Sequence, residues 1–273
     1  MSALEWVKRP SLRRPAAVVA FAGWGDAGEA STGAAEHLLR VMEGEAFARL
    51  DPDPFYEFQA RRPMVEITPE GTRTINWPRN EFHVAHHPQR DLVVVLGEEP
   101  HLLWRRFCEE MTAVLIEVGV EQVVTIGAFL GQVAHTLPVP LVGVASSADM
   151  LEDHGLLFSG YEGPTGIVGA LTTHLIERGV PTMSVWAAVP HYLANQTYPP
   201  AIEVLVRKVI EVTGIGLDVS GLATESDQFR LTVDAAIKES KDVSDYVHRL
   251  EADAGGPATA DLMNEIERYL RDR

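Results

Sequence analysis

Val18-Val19-Ala20-Phe21-Ala22-Gly23-Trp24-Gly25-Asp26-Ala27-Gly28-Glu29 is the stretch on which the fold turns. A short apolar run stops at a glycine-rich bend and passes into an alanine-rich segment with helical spacing, from about Ala27 to Met42. Strand, tight loop and helix start in that order form the opening unit of a parallel α/β sheet. Gly23, Gly25 and Gly28 also satisfy the spacing of a dinucleotide fingerprint, and Asp51 follows a second short apolar run at about the required distance. Asp26 argues against that match. It sits where the helix begins, with Glu29 three residues on, a capping-box arrangement with Asp in place of Ser or Thr. A carboxylate there accepts from the amides that a diphosphate would need, and its charge repels one. A capped turn, a nucleotide cradle, and Asp26 as a polar member of some other loop site are the three readings of the bend.

A chain of 273 residues, 46% of them hydrophobic, can bury a sizeable core as one α/β domain or as a domain with an appendage. The formal net charge of −16 argues against nucleic acid and anionic membrane surfaces as partners, and its plainest meaning is solubility. Cys108 is the single cysteine, which excludes an internal disulfide framework and fits a reducing compartment. Its helical spacing with Trp104, Met111 and Leu115 predicts a buried thiol rather than a nucleophile. No apolar run approaches the roughly 20 residues of a membrane span. The first residues, with Glu5 and no apolar segment, do not read as a secretory signal. A cytoplasmic protein is expected.

Residues 1–14 read as an irregular leading segment. Tyr56–Gln59 and Met64–Ile67 alternate apolar and polar, Pro69–Thr72 is a turn, and Arg73–Trp77 alternates again, which predicts a β-hairpin after the second strand. Alternation implies one covered face, and an isolated two-stranded ribbon is marginal in water. That face is therefore expected to be buried by the hairpin's own domain or across a subunit boundary. Asp91–Gly97, Gln122–Gly127, Leu141–Ala145 and Met183–Val189 are apolar strands of the buried kind, separated by helical segments. Past about residue 215, Phe229, Val233, Ile237, Val243, Val247 and Leu250 recur along a charged helix, Ala254–Pro257 breaks it, and Leu262, Ile266 and Leu270 mark another. The reading is an α/β/α core over residues 1–215, with a mainly parallel sheet, and a C-terminal helical hairpin over 216–273. A short coiled-coil arm, interrupted at Ser240, is the other reading of that tail.

Ligands of open parallel sheets bind beyond the carboxyl ends of the strands. Those ends carry Asp26, Glu98, Glu99, His101, His135, Glu162, His191 and Tyr192. Gly25, Asp26, Glu98, Glu99, His101, Glu162, Thr165 and His191 form the candidate ligand pocket, with Gly163–Gly166 able to present helix N-terminal amides to an anion. The chain contains no Gly-x-Ser-x-Gly elbow, phosphate-loop lysine motif or His-Glu-x-x-His helix, so no catalytic residue is assigned. Glu98 and Glu99 point apart on extended backbone; one of them is expected to cap the following helix or to pair with Arg105 or Arg106. His83, His86 and His87 cannot all converge from one strand, so no metal and no cofactor are expected.

Gly23–Gly28, Glu66-Ile67 through Trp77-Pro78 with Asn80-Glu81-Phe82, Gly97–His101, Tyr161–Gly169 and Trp186–Tyr192 together resemble the proteasome-assembly-chaperone-2 family, and within it the bacterial branch. The resemblance covers about residues 15 to 213. It implies a three-layer α/β/α core akin to the nucleoside phosphorylase architecture, self-association as a trimer, and work through protein–protein contacts rather than turnover, proteasome subunits being one class of partner. In family chaperones a hydrophobic-tyrosine-any residue tail docks between α-subunits. Here Asp272 stands in the penultimate position, which argues against that mode. The alternative is a small-molecule-binding protein or enzyme of the same architecture with its site on the strand rim.

Overall fold

The computed structural model describes residues 3–253. In chain order the strands and helices are β1 (Leu4–Trp6), β2 (Ala16–Ala22), α1 (Ala30–Val41), β3 (Glu45–Leu50), β4 (Met64–Ile67), β5 (Arg73–Asn76), β6 (Asn80–Ala85), β7 (Leu92–Glu98) and α2 (Trp104–Glu117). There follow β8 (Gln122–Gly131), β9 (Leu141–Ala145), α3 (Ala148–Asp153), β10 (Leu157–Phe158), α4 (Ile167–Glu177), β11 (Thr182–Pro190), α5 (Pro199–Thr213), α6 (Ser220–Lys238) and α7 (Lys241–Asp253). Nine strands make one sheet in the order β1-β3-β6-β7-β2-β8-β11-β9-β10. The central four, β7-β2-β8-β11, are parallel throughout. Antiparallel pairs flank them, β3 and β6 on one side and β9 on the other.

Period-two alternation sorts the central strands into two cores. Val18, Ala20, Leu92, Val94, Val124 and Ile126 face α1 and α5. Val19, Phe21, Val93 and Val95 face Phe107 and Met111 of α2 and Leu171 and Leu175 of α4. Because both faces are covered, these strands read as unbroken apolar runs. Among the described residues the third layer is incomplete at one end. Over β9 and β10, on the side that α2 and α4 occupy further in, Val142, Val144 and Phe158 line an open cavity.

Three expectations need correction. Residues 4–6 are no irregular lead but an edge strand, paired antiparallel with β3; three residues carry too little pattern to be read. The hairpin exists, but its pairing is confined to β4 and β5, a separate two-stranded sheet, and residues 56–59 stay outside it. Among the described residues its apolar face is largely open: Val65, Ile67, Ile75 and Trp77 are 46, 75, 53 and 44% exposed, with only Phe58 packed edge-on against Trp77. The long charged helix also breaks at Glu239-Ser240, so that α6 and α7 form the hairpin expected further on. Leu222 and Val233 of α6 enter the same apolar cluster as α5. The second helix read from Leu262, Ile266 and Leu270, and the tail from Tyr269 to Arg273, lie outside the described residues.

Candidate functional site

The carboxyl ends of β2, β8 and β11 open onto a cavity of about 1290 Å³. The bend after β2 forms one wall and Asn195–Thr197 continue it, while Arg105, Cys108 and Glu109 of α2 and His174 and Glu177 of α4 form another. Trp186 of β11 lies on its floor, ring atoms against Gly127 and Gly25, with its indole N–H donated to Ser184 Oγ at 2.9 Å. A side chain at Gly127 would begin 2.6 Å from that ring.

Asp26 fills the start of α1. Its Oδ1 accepts from the Ser31 amide at 2.8 Å, the Ser31 hydroxyl at 2.6 Å and the Thr32 amide at 3.1 Å; its Oδ2 accepts from the Thr32 hydroxyl at 2.5 Å. The aspartate therefore uses the donors of the helix N-terminus, as the bend predicts. The reciprocal arm of a capping box does not form. Gly28 takes φ 62 and Glu29 φ 50, and this left-handed step carries the Glu29 carboxylate away to accept from the Thr197 hydroxyl at 2.5 Å. The bend is also tied to β8, since the Ala128 amide donates to the Gly25 carbonyl at 2.8 Å.

A second carboxylate repeats the arrangement across the cavity. Glu99 Oε1 accepts from the Ile167 amide at 2.7 Å, the first amide of α4, and Oε2 accepts from the Trp24 amide at 3.2 Å. The N-termini of α1 and α4 are thereby occupied by the chain's own anions, and the anion position read from Gly163–Gly166 is filled by Glu99. The two glutamates point apart, as their adjacency suggests, but neither takes the partner expected of it. Glu99 caps α4 rather than α2, and Glu98 points to the other side of the strand, where it forms an ion pair with Arg61. The Glu98 carbonyl accepts from the Tyr56 hydroxyl, which in turn accepts from Asn80 Nδ2.

The candidate pocket residues thus fall into three groups. Gly25, Asp26, Glu99 and Thr165 stand at or beside the cavity, with Glu162 next to its lining residues Tyr161 and Gly163. His101 packs edge-on against Tyr56 and accepts from the Glu57 amide at 3.2 Å, on the Glu98 side. His191 and His135 instead fasten the terminal helices. Tyr246 of α7 meets His191 Nε2 at 3.1 Å, and Asp234 of α6 meets His135 Nε2 at 3.0 Å. Burial pushes the Tyr192 hydroxyl up to about 12, so it keeps its proton. It accepts from the His135 amide at 2.9 Å and gives its own hydrogen to His135 Nδ1 at 2.7 Å, leaving Nε2 protonated toward Asp234.

Asp51 lies at the end of β3, three strand spacings from β2, or about 14 Å sideways. No ribose on the Gly23–Gly28 bend could reach it, which removes the dinucleotide reading. His83 sits half-buried beside Glu81, while His86 contacts Asp91. Among the described residues no group of three or more His, Cys, Asp or Glu could hold a metal. Burial pushes the Cys108 thiol up to about 12, as a core thiol requires. Sequence reasoning missed Trp186 as the floor and Glu99 as a cap 68 residues away from its partner. Only the strand order brings these groups together, and no local pattern announces it.

The PAC2 family model matches residues 20–237. A PAC2 family protein of Streptomyces avermitilis is 39% identical, with a TM-score of 0.78 over 85% of this chain and 99% of its own. A Mycobacterium tuberculosis proteasome-assembly chaperone homologue is 34% identical, with a TM-score of 0.79 over the same shares. A second M. tuberculosis protein, of unknown function, shares the fold at a TM-score of 0.88 over 99% of this chain and 96% of its own, at 24% identity. No curated protein matches by sequence. With its family model spanning most of the core and these two solved relatives covering it, the chain belongs to the PAC2 family.

Proposed function

We propose that this chain is a self-associating, chaperone-like scaffold of the cytoplasm that works by holding other proteins and not by turnover. One observation carries the reading. The N-termini of α1 and α4, which flank the bend after β2 at the strand rim, are closed to an anionic substrate by Asp26 and Glu99, each engaged by donors of its own chain. Of the rim histidines, His135 and His191 hold α6 and α7, and His101 packs against Tyr56. The relative described as a proteasome-assembly chaperone homologue supports the same class of work, with proteasome-like subunits as one partner type. A trimer is the assembly we expect.

Affinity capture from extract of the native cell, followed by mass spectrometry, tests the scaffold reading. We expect a stoichiometric protein partner, competed away by free chain. Turnover of a small metabolite without any such partner would overturn it. The ligand alternative, with Gly25, Asp26, Glu98, Glu99, His101, Glu162, Thr165 and His191 as contacts, is probed by thermal shift with nucleosides, nucleotides and phosphate. Binding to the native state raises the melting temperature by mass action.

A further inference from the structure

Two apolar surfaces of this chain lack cover within the described residues, and they lie at opposite ends of the sheet. The first is the β4–β5 ribbon. Its register places Val65 opposite Ile75 and Ile67 opposite Arg73, so Val65, Ile67, Ile75 and Trp77 share one face with Arg73. The ribbon is inserted between β3 and β6, toward the β1 edge. A two-stranded ribbon with an open apolar face is marginal in water by itself. The second surface is the trough over β9 and β10, where Val142, Val144, Trp186, Tyr161 and Phe158 line the cavity and Phe158, on the edge strand, is 66% exposed.

Their charges are opposite. Residues 61–79 carry Arg61, Arg62, Arg73 and Arg79 against Glu66 and Glu70, a basic insert in an acidic protein. Residues 107–177, which supply most of the trough, contain no lysine or arginine and nine carboxylates. Of these, Glu109 and Glu177 line the cavity, where Arg105 is the one lysine or arginine among the described lining residues. An arginine-bearing apolar ribbon and an acid-rimmed apolar trough are complementary in both respects.

We propose that the apolar face of the ribbon docks into the trough of a second copy of this chain. The proposal rests on the self-association in the functional reading above and adds the surface that performs it. Donor and acceptor are different patches on opposite edges, so the contact is head to tail and closes a ring where the rotation between copies allows.

Light scattering on wild type, on Ile67→Asp and on Phe158→Asp, and on a 1:1 mixture of the two variants, decides the matter. Both substitutions sit on side chains exposed in the single chain, so far-UV circular dichroism and melting temperature should match wild type; Ile75→Asp on the ribbon and Tyr161→Asp in the trough serve as second variants. We expect each variant alone to fall to the mass of one chain. The mixture should give twice that mass and no more, because the intact ribbon of Phe158→Asp fills the intact trough of Ile67→Asp and each remaining surface is spoiled. An Ile67→Asp or Phe158→Asp protein that keeps the wild-type mass overturns the docking proposal while leaving self-association standing. A monomeric wild type overturns the self-association reading itself, and the docking proposal with it.

Discussion

Asp26 meets four donors with two oxygens, and the consequence can be measured. Asp26→Ala would strip the first turn of α1 of its acceptor and leave the Ser31 and Thr32 groups part-buried without it. We expect a loss of about 2 kcal/mol, the upper end for an N-cap, read as a lower urea midpoint with an unchanged slope. Asp91 gives a pH-dependent case. Burial by itself would raise its carboxyl, but the Arg13 and His87 amides and the His86 ring overcome that and hold it below the usual value. A carboxyl depressed in the folded state stabilises fully above its unfolded value of about 3.9 and loses that contribution as pH falls through the folded value. The gap in melting temperature between wild type and Asp91→Asn should therefore shrink as pH falls below about pH 4.

Among the elements, α4 is seated by a side chain from the far side of the rim. Glu99→Ala removes the acceptor for both the Ile167 and the Trp24 amides. A hydrogen bond to a charged group contributes about 1.5–3 kcal/mol, and we expect a loss in that range, with Glu99→Gln recovering part of it through its one remaining oxygen. The elements also show where sequence is a sufficient guide. β2, β7, β8 and β11 are buried on both faces, so each reads as a continuous apolar run and is found at once. The start of α1 is legible because a carboxylate at a helix opening has few other uses. By contrast, β10 has two residues and β1 three, and pairing rather than pattern makes them strands. The left-handed turn at Gly28-Glu29 cancels the reciprocal cap through a backbone choice that residue spacing does not encode. Glu99 reaching α4 and Glu98 reaching Arg61 depend on which strands lie side by side, and local sequence carries no record of that.

At the scale of the whole molecule, protection is uneven. The parallel centre β7-β2-β8-β11 is sealed between two apolar layers, whereas the β4–β5 ribbon stands outside both. In the monomeric Phe158→Asp protein, hydrogen exchange should be slowest in β2 and β8 and close to unprotected in β4 and β5; in the wild-type assembly the ribbon amides should slow by at least tenfold, measured by mass spectrometry. Uniform ribbon exchange in both samples would count against a covered ribbon. The run from residue 107 to 177 has one more effect. The chain has only four lysines, Lys8, Lys208, Lys238 and Lys241, all outside that run. Amine coupling to a sensor chip or a bead would therefore attach the protein through lysines outside the run and leave every carboxylate within it chemically untouched.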